Sequence, residues 1–82
     1  VTTAYVVTIG DIPTHSATTL DDAQAAALTA ETRYGGAERN DYRWDEYRAG
    51  QTWRLMQRSK SRGGRYAWTQ RAVHAVEHVP AA

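Results

Sequence analysis

The chain has 82 residues, no cysteine, and a net charge of only +1 from ten basic and nine acidic side chains. That length gives one domain whose single core is only just sufficient, and without cysteine neither a disulfide framework nor a thiolate zinc site can staple it. No apolar run approaches the roughly 20 residues of a membrane-spanning helix, and Val1–Gly10 lacks the basic start and long apolar stretch of a secretory signal. The expectation is a single compact domain over residues 1–82, cytoplasmic, with no membrane partner.

The core has to come from packing. Three Trp and five Tyr, with no Phe, supply the heavy pieces, each burying roughly 150–250 Å² and nearly all carrying a polar tip that wants a partner. Tyr5-Val6-Val7-Thr8-Ile9 is β-branched and aromatic, ends at Gly10, and reads as a first strand. Asp11–Ala17, with Pro13 and small polar residues, reads as a loop. Thr19 is placed to cap a helix, with Asp22 three residues on and Asp21 beside it at the positive end of the dipole. Leu20, Ala23, Ala27, Ala30 and Tyr34 then recur at three- and four-residue steps as one narrow apolar stripe, and Gly35-Gly36 stops the helix.

The second half reads as a three-stranded meander. Asp41–Arg48 joins Thr52–Ser59 through Ala49-Gly50, and Thr52–Ser59 joins a last strand from Arg65 through a tip containing Gly63-Gly64, a pair suited to the positive φ of tight hairpins. The last strand is expected to run to about Val79, where Pro80 ends it. The fold class predicted is α+β: a single helix packed on a four-stranded mainly antiparallel sheet, in the order β-α-β-β-β. With Ala49-Gly50 and Gly63-Gly64 as turn centres, Trp44 faces Leu55, which faces Ala72. Glu46, Trp53 and His74 form the next row, and Tyr42, Gln57 and Gln70 the row on the other side. All of these share one face by the two-residue period of a strand, the face the helix would cover. The opposite face carries Arg43, Asp45, Tyr47, Arg54, Met56, Arg58, Thr69 and Arg71, with Asp45 across from Arg54 as a cross-strand ion pair.

Charge is distributed unevenly. Residues 1–37 have a balance of −3 and residues 38–82 one of +4, and Arg54–Arg71 holds six basic residues and no acid. Such asymmetry favours a polyanionic partner. A small non-enzymatic binding module is the reading that follows, with Arg43, Arg54, Arg58, Lys60, Arg62, Arg65 and Arg71 contacting nucleic acid through a basic β-hairpin and an Arg-rich sheet face. A two-stranded ribbon fits the major groove, where Arg grips guanine or phosphate bidentately; alternatively Tyr47, Tyr66 and Trp68 stack on unpaired bases. The other reading is a protein-interaction module, a homodimer through the last strand. Its surface would be Tyr47, Met56, Val73, Ala75 and Val79, an apolar strip continuing along the Arg side without an assigned cover.

Catalysis and cofactors find no support. His74-Ala75-Val76-Glu77-His78 matches the inverted zinc-protease pattern formally, but no acidic ligand follows it, and on a strand Glu77 points away from both imidazoles. His15 beside Ser16 lacks the orienting group and oxyanion hole of a nucleophile site. Gly10, Gly35 and Gly36 have neither dinucleotide-binding nor Walker spacing. The sequence therefore predicts no catalytic residue, no metal site and no cofactor.

Overall fold

The computed structural model describes residues 2–78. Their order is β1 (Thr2–Ile9), β2 (Ile12–Ala17), α1 (Leu20–Thr32), α2 (Gly36–Arg39), β3 (Asn40–Arg48), β4 (Thr52–Ser59) and β5 (Gly63–His78). The class is α+β, but the sheet has five antiparallel strands in the order β2-β1-β5-β4-β3. The expected count of four fails at Asp11–Ala17, which is not a loop. Gly10, at φ +58°, is the first of two central turn residues between paired Ile9 and Ile12. A glycine in that place, followed by a residue of negative φ, is the II′ hairpin geometry whose twist suits antiparallel strands. Pro13 is tolerated because β2 is an edge strand with a register shift beside it, between Val7 and Thr8 of β1.

Helix α1 starts where the capping signal puts it: the Thr19 hydroxyl accepts from the Asp22 backbone N–H at 3.2 Å. Ala23 and Ala27 are fully buried and pack with Val7 and Val73, and Tyr5, Ala17, Leu20, Trp44 and Trp53 surround that cluster. The stripe stops sooner than its spacing suggests. Regular α-structure ends at Thr32, so Tyr34 lies beyond the helix and is exposed. The short α2 begins at Gly36, whose missing Cβ leaves room for the Tyr42 ring.

The helix packs on β1, β2 and β5, not centrally over β3 and β4. The reason is the place of β5, which lies in the middle of the sheet and pairs with β1 over its whole second half, from Thr2↔His78 to Ile9↔Arg71. Tyr5 and Trp53 meet across this core with ring centroids 6.2 Å apart. Leu55, Val7 and Val73 are its largest fully buried side chains, each contributing about 1.5–3 kcal/mol by leaving water.

Register decides the rest. Between β3 and β4, Trp44↔Leu55, Asp45↔Arg54 and Glu46↔Trp53 pair as expected. The turn there has three residues rather than two, and a bulge at Tyr47 absorbs the extra one. Between β4 and β5 nothing cancels. The tip is Lys60-Ser61-Arg62 between paired Ser59 and Gly63, and Gly63 and Gly64 carry their positive φ inside the strand. A second shift follows between Arg54 and Met56, opposite Gln70 at φ +75°. Side chains secure this second bulge. Trp68 Nε1–H donates to Arg71 O, Thr69 Oγ1–H to Leu55 O, and the Arg71 N–H to Thr69 Oγ1.

The result is an odd offset. Ala72 pairs with Arg54 instead of Leu55, and Val73 pairs with Trp53 where His74 was expected. The odd offset is set at the three-residue tip; the shift at Gln70 adds two residues and keeps the face. With a side-chain period of two, every paired residue of β5, Trp68 included, therefore lies on the face opposite to that expected. Val73 turns in beneath the helix and Ala75 lies on the same inner face, while Ala72, His74 and Val76 turn out.

Candidate nucleic-acid interface

The outer face of the sheet, opposite α1, is built by alternation. Strand β3 contributes Asp41, Arg43 and Asp45, and β4 contributes Thr52, Arg54, Met56 and Arg58. Trp68 joins them from β5 because it pairs with Met56. Aromatic rings and guanidinium groups interleave there. Arg54 lies over both Trp68, at 4.2 Å from the ring centroid, and Tyr47, at 4.7 Å. Arg43 and Arg58 lie over the Tyr66 ring at 4.3 and 4.8 Å. Such contacts are worth about 0.5–1 kcal/mol when exposed and up to about 2 when desolvated. They hold the long side chains in fixed orientations.

The three arginines are not equivalent. Arg43 Nε is 3.1 Å from Asp45 Oδ1, and Arg58 Nε is 3.6 Å from Asp41 Oδ2. These pairs are about half exposed and contribute at most about 1 kcal/mol each, but each offsets a positive charge where it stands. Arg54 has no carboxylate at ion-pair distance among the described residues. Its Nε is buried and makes no hydrogen bond. The expected Asp45–Arg54 pair is thus replaced: the two are register partners, but Asp45 bonds its own strand neighbour and Arg54 stacks on rings.

A cleft of about 450 Å³ opens on this face beside Arg54, walled by Tyr47 and Trp68 and lined by Thr8, His74 and Asp11. His74 Nε2 is 3.2 Å from Thr8 Oγ1, which ties the imidazole to β1. Sequence spacing placed His74 beside Trp53 on the other face; the odd offset set by the three-residue tip puts it outward. Among the described residues no three side chains of metal-ligating type converge.

The tip residues Lys60, Arg62 and Arg65 are exposed. A backbone bond from Lys60 N–H to Arg39 O, 2.9 Å, draws the turn against the end of α2. Arg39, Lys60 and Arg62 thereby border one notch of about 530 Å³ with the hydroxyls of Ser59 and Ser61, and Glu38 at its rim. Along β4 Arg54 of the cleft and Ser59 of the notch are five residues apart, roughly 17 Å at ~3.3 Å per residue.

Two groups of expected site residues move. Arg71 does not belong to the outer array: its Nε donates to Glu31 Oε2 of α1 at 2.7 Å, with both side chains less than a fifth exposed. The apolar strip expected from Val73, Ala75 and Val79 does not form. Val73 is fully buried under the helix, Ala75 lies on the same inner face, and Val79 is outside the described residues. Strand β5 is also interior, so it offers no free edge for pairing a second copy. Tyr47 is exposed and Met56 partly so, both on the outer face.

Sequence reasoning missed Thr8, Asp11 and His74 as cleft residues and Arg39 as a neighbour of the tip. Nothing local signals the first three, which meet only once β1 and β5 pair. For Arg39, the Gly35-Gly36 break was the available sign that the chain turns back toward the tip. No known protein family, characterised protein or solved structure matches the chain. Among the described residues no helix is long and apolar enough to cross a membrane.

Proposed function

We propose that the protein is a small non-enzymatic binding module that takes nucleic acid across the outer face of its sheet and against the Lys60–Arg65 tip. The observation that carries this reading is the interleaved array of Arg43, Arg54 and Arg58 on Tyr47, Tyr66 and Trp68. A helix covers the other face, and this one is left open. Fixed guanidinium planes and rings at strand spacing suit phosphates and base faces together. Lys60, Arg62 and Arg65, which have no carboxylate partner among the described residues, add the non-specific electrostatic attraction that dominates such affinities.

The test is fluorescence anisotropy with labelled oligonucleotides over a salt series. Three or four neutralised phosphates give a slope of log K against log salt of about −2 to −4. Replacing Arg58 and Arg62 together by Ala lowers affinity at low salt and flattens that slope by about 1.5. Absence of binding by the parent protein at low salt, or an unchanged double variant, overturns the reading.

A further inference from the structure

We propose that the cleft between Tyr47, Arg54, Trp68 and His74 is a site for one unpaired nucleotide, so that the strand taken by the outer face is single. This rests on the nucleic-acid reading above and names the form of nucleic acid that reading leaves open.

The first support is shape. Most of an antiparallel face is flat, whereas this part is concave and encloses about 450 Å³, within the roughly 300–1,000 Å³ of small-molecule sites. Its walls are planar groups: the Trp68 and Tyr47 rings with the Arg54 guanidinium over both. Bases turned out of a strand stack on aromatic rings and on guanidinium planes alike.

Charge is the second support. The cations of Arg43 and Arg58 are matched by Asp45 and Asp41, but among the described residues that of Arg54 has no carboxylate at ion-pair distance and its Nε–H no hydrogen-bond acceptor. A buried donor without an acceptor is a cost that folded proteins seldom leave standing. An acceptor admitted from the cleft, which Arg54 lines, would meet it. Tyr47, the wall over Arg54, is 59% exposed and sits at a bulge on an edge strand, so it is the side from which a ligand reaches the guanidinium. A phosphate supplies the anion, and the base lies against the rings.

The third support is the mixed lining. Thr8, Thr52 and His74 can donate or accept, and Asp11 accepts at the rim. A base edge presents donors and acceptors together, and this set meets both. In a duplex those edges and ring faces are taken up by pairing and stacking, so a cleft can admit a base only from an unpaired position.

The experiment combines NMR titration of the whole protein with competition binding. The probes are a nucleoside 5′-monophosphate, the corresponding nucleoside, inorganic phosphate, a single-stranded octamer and a duplex of the same sequence. The monophosphate is expected to shift the amides of Thr8, Thr52 and His74 and the Trp68 indole N–H. Nucleoside or phosphate alone should shift them less. The octamer should bind at least about tenfold more tightly than the duplex. Arg54→Ala should remove most of that preference, weakening the octamer several times more than the duplex. Tyr47→Ala, a change at an exposed ring, should weaken octamer binding severalfold and covers the case in which Arg54→Ala disturbs the fold.

Equal affinity for octamer and duplex, unaffected by Tyr47→Ala, overturns the cleft proposal while the nucleic-acid reading stands. Shifts by phosphate alone equal to those by the monophosphate overturn it as well, by leaving the rings no part. If neither nucleic acid binds, both readings fall.

Discussion

Val73 and Val76 lie three residues apart on β5 and face opposite ways, so one pair of substitutions tests the register of that strand. Val73 is fully buried among Val7, Ala23 and Ala27, whereas Val76 is 46% exposed on the outer face. Val73→Ala removes two methyl groups, about 1.6 kcal/mol at ~0.8 per buried carbon. An unrelaxed void of about 40 Å³ adds about 1 kcal/mol at ~24 cal/mol per Å³. The sum, about 2.5 kcal/mol, lowers the melting temperature of a domain this small by about 10–20 °C. Val76→Ala loses roughly half the transfer contribution and leaves no cavity, under about 1 kcal/mol. Thermal and urea denaturation followed by circular dichroism, with the urea m-value unchanged, gives both numbers. Had the hairpin turned on Gly63-Gly64 alone, Val76 would lie inside and Val73 outside. A Val76→Ala loss equal to or larger than that of Val73→Ala therefore refutes the register.

A double-mutant cycle on Glu31 and Arg71 should give a coupling of about 1–2 kcal/mol, because this ion pair is largely screened from water and pins α1 to β5. The same cycle on Arg43 and Asp45 should give under about 0.5 kcal/mol. Reversal of that order would mean that α1 is held by its alanine face alone. Gln70 adopts φ +75°, so Gln70→Gly should be neutral or stabilise by up to about 1 kcal/mol, and Gln70→Val should destabilise by about 1–2 kcal/mol. A valine tolerated without loss would show that the backbone there does not need the left-handed conformation.

The helix and its cap were readable from the sequence because both are local: Thr19 and Asp22 are three residues apart, and Ala23 and Ala27 repeat at helical spacing. The β3–β4 register was readable too, although two errors cancelled in it, the third turn residue and the bulge at Tyr47. Strand β2 was hidden because an exposed edge strand carries no apolar alternation, and its Pro13 reads as a loop signal. The failure at β5 had a different origin. Gly63 and Gly64 do adopt positive φ, as their type suggests, but inside the strand instead of at its turn. Composition signals that a glycine is needed, not whether a turn or a bulge needs it. From there one odd offset exchanged Val73 for Val76 and brought His74 to the outer face. Arg43, Arg54 and Arg58 kept their face because they lie on β3 and β4, whose mutual register was read correctly. Arg71 and the apolar strip, on β5, did not.

The pairing of β1 with β5 joins residues more than 60 positions apart, from Thr2↔His78 to Ile9↔Arg71. A loop of that length carries a large closure entropy, and contacts made only after it closes come late and slow the search for the native state. The β3–β4–β5 meander is by contrast local, and it can form its hairpins, with Arg43, Arg54 and Arg58 upon them, before β1 arrives. Thr8 reaches His74 only when β1 docks. The cleft thus depends on the long-range pairing of β1 with β5, which the basic array on the meander does not need.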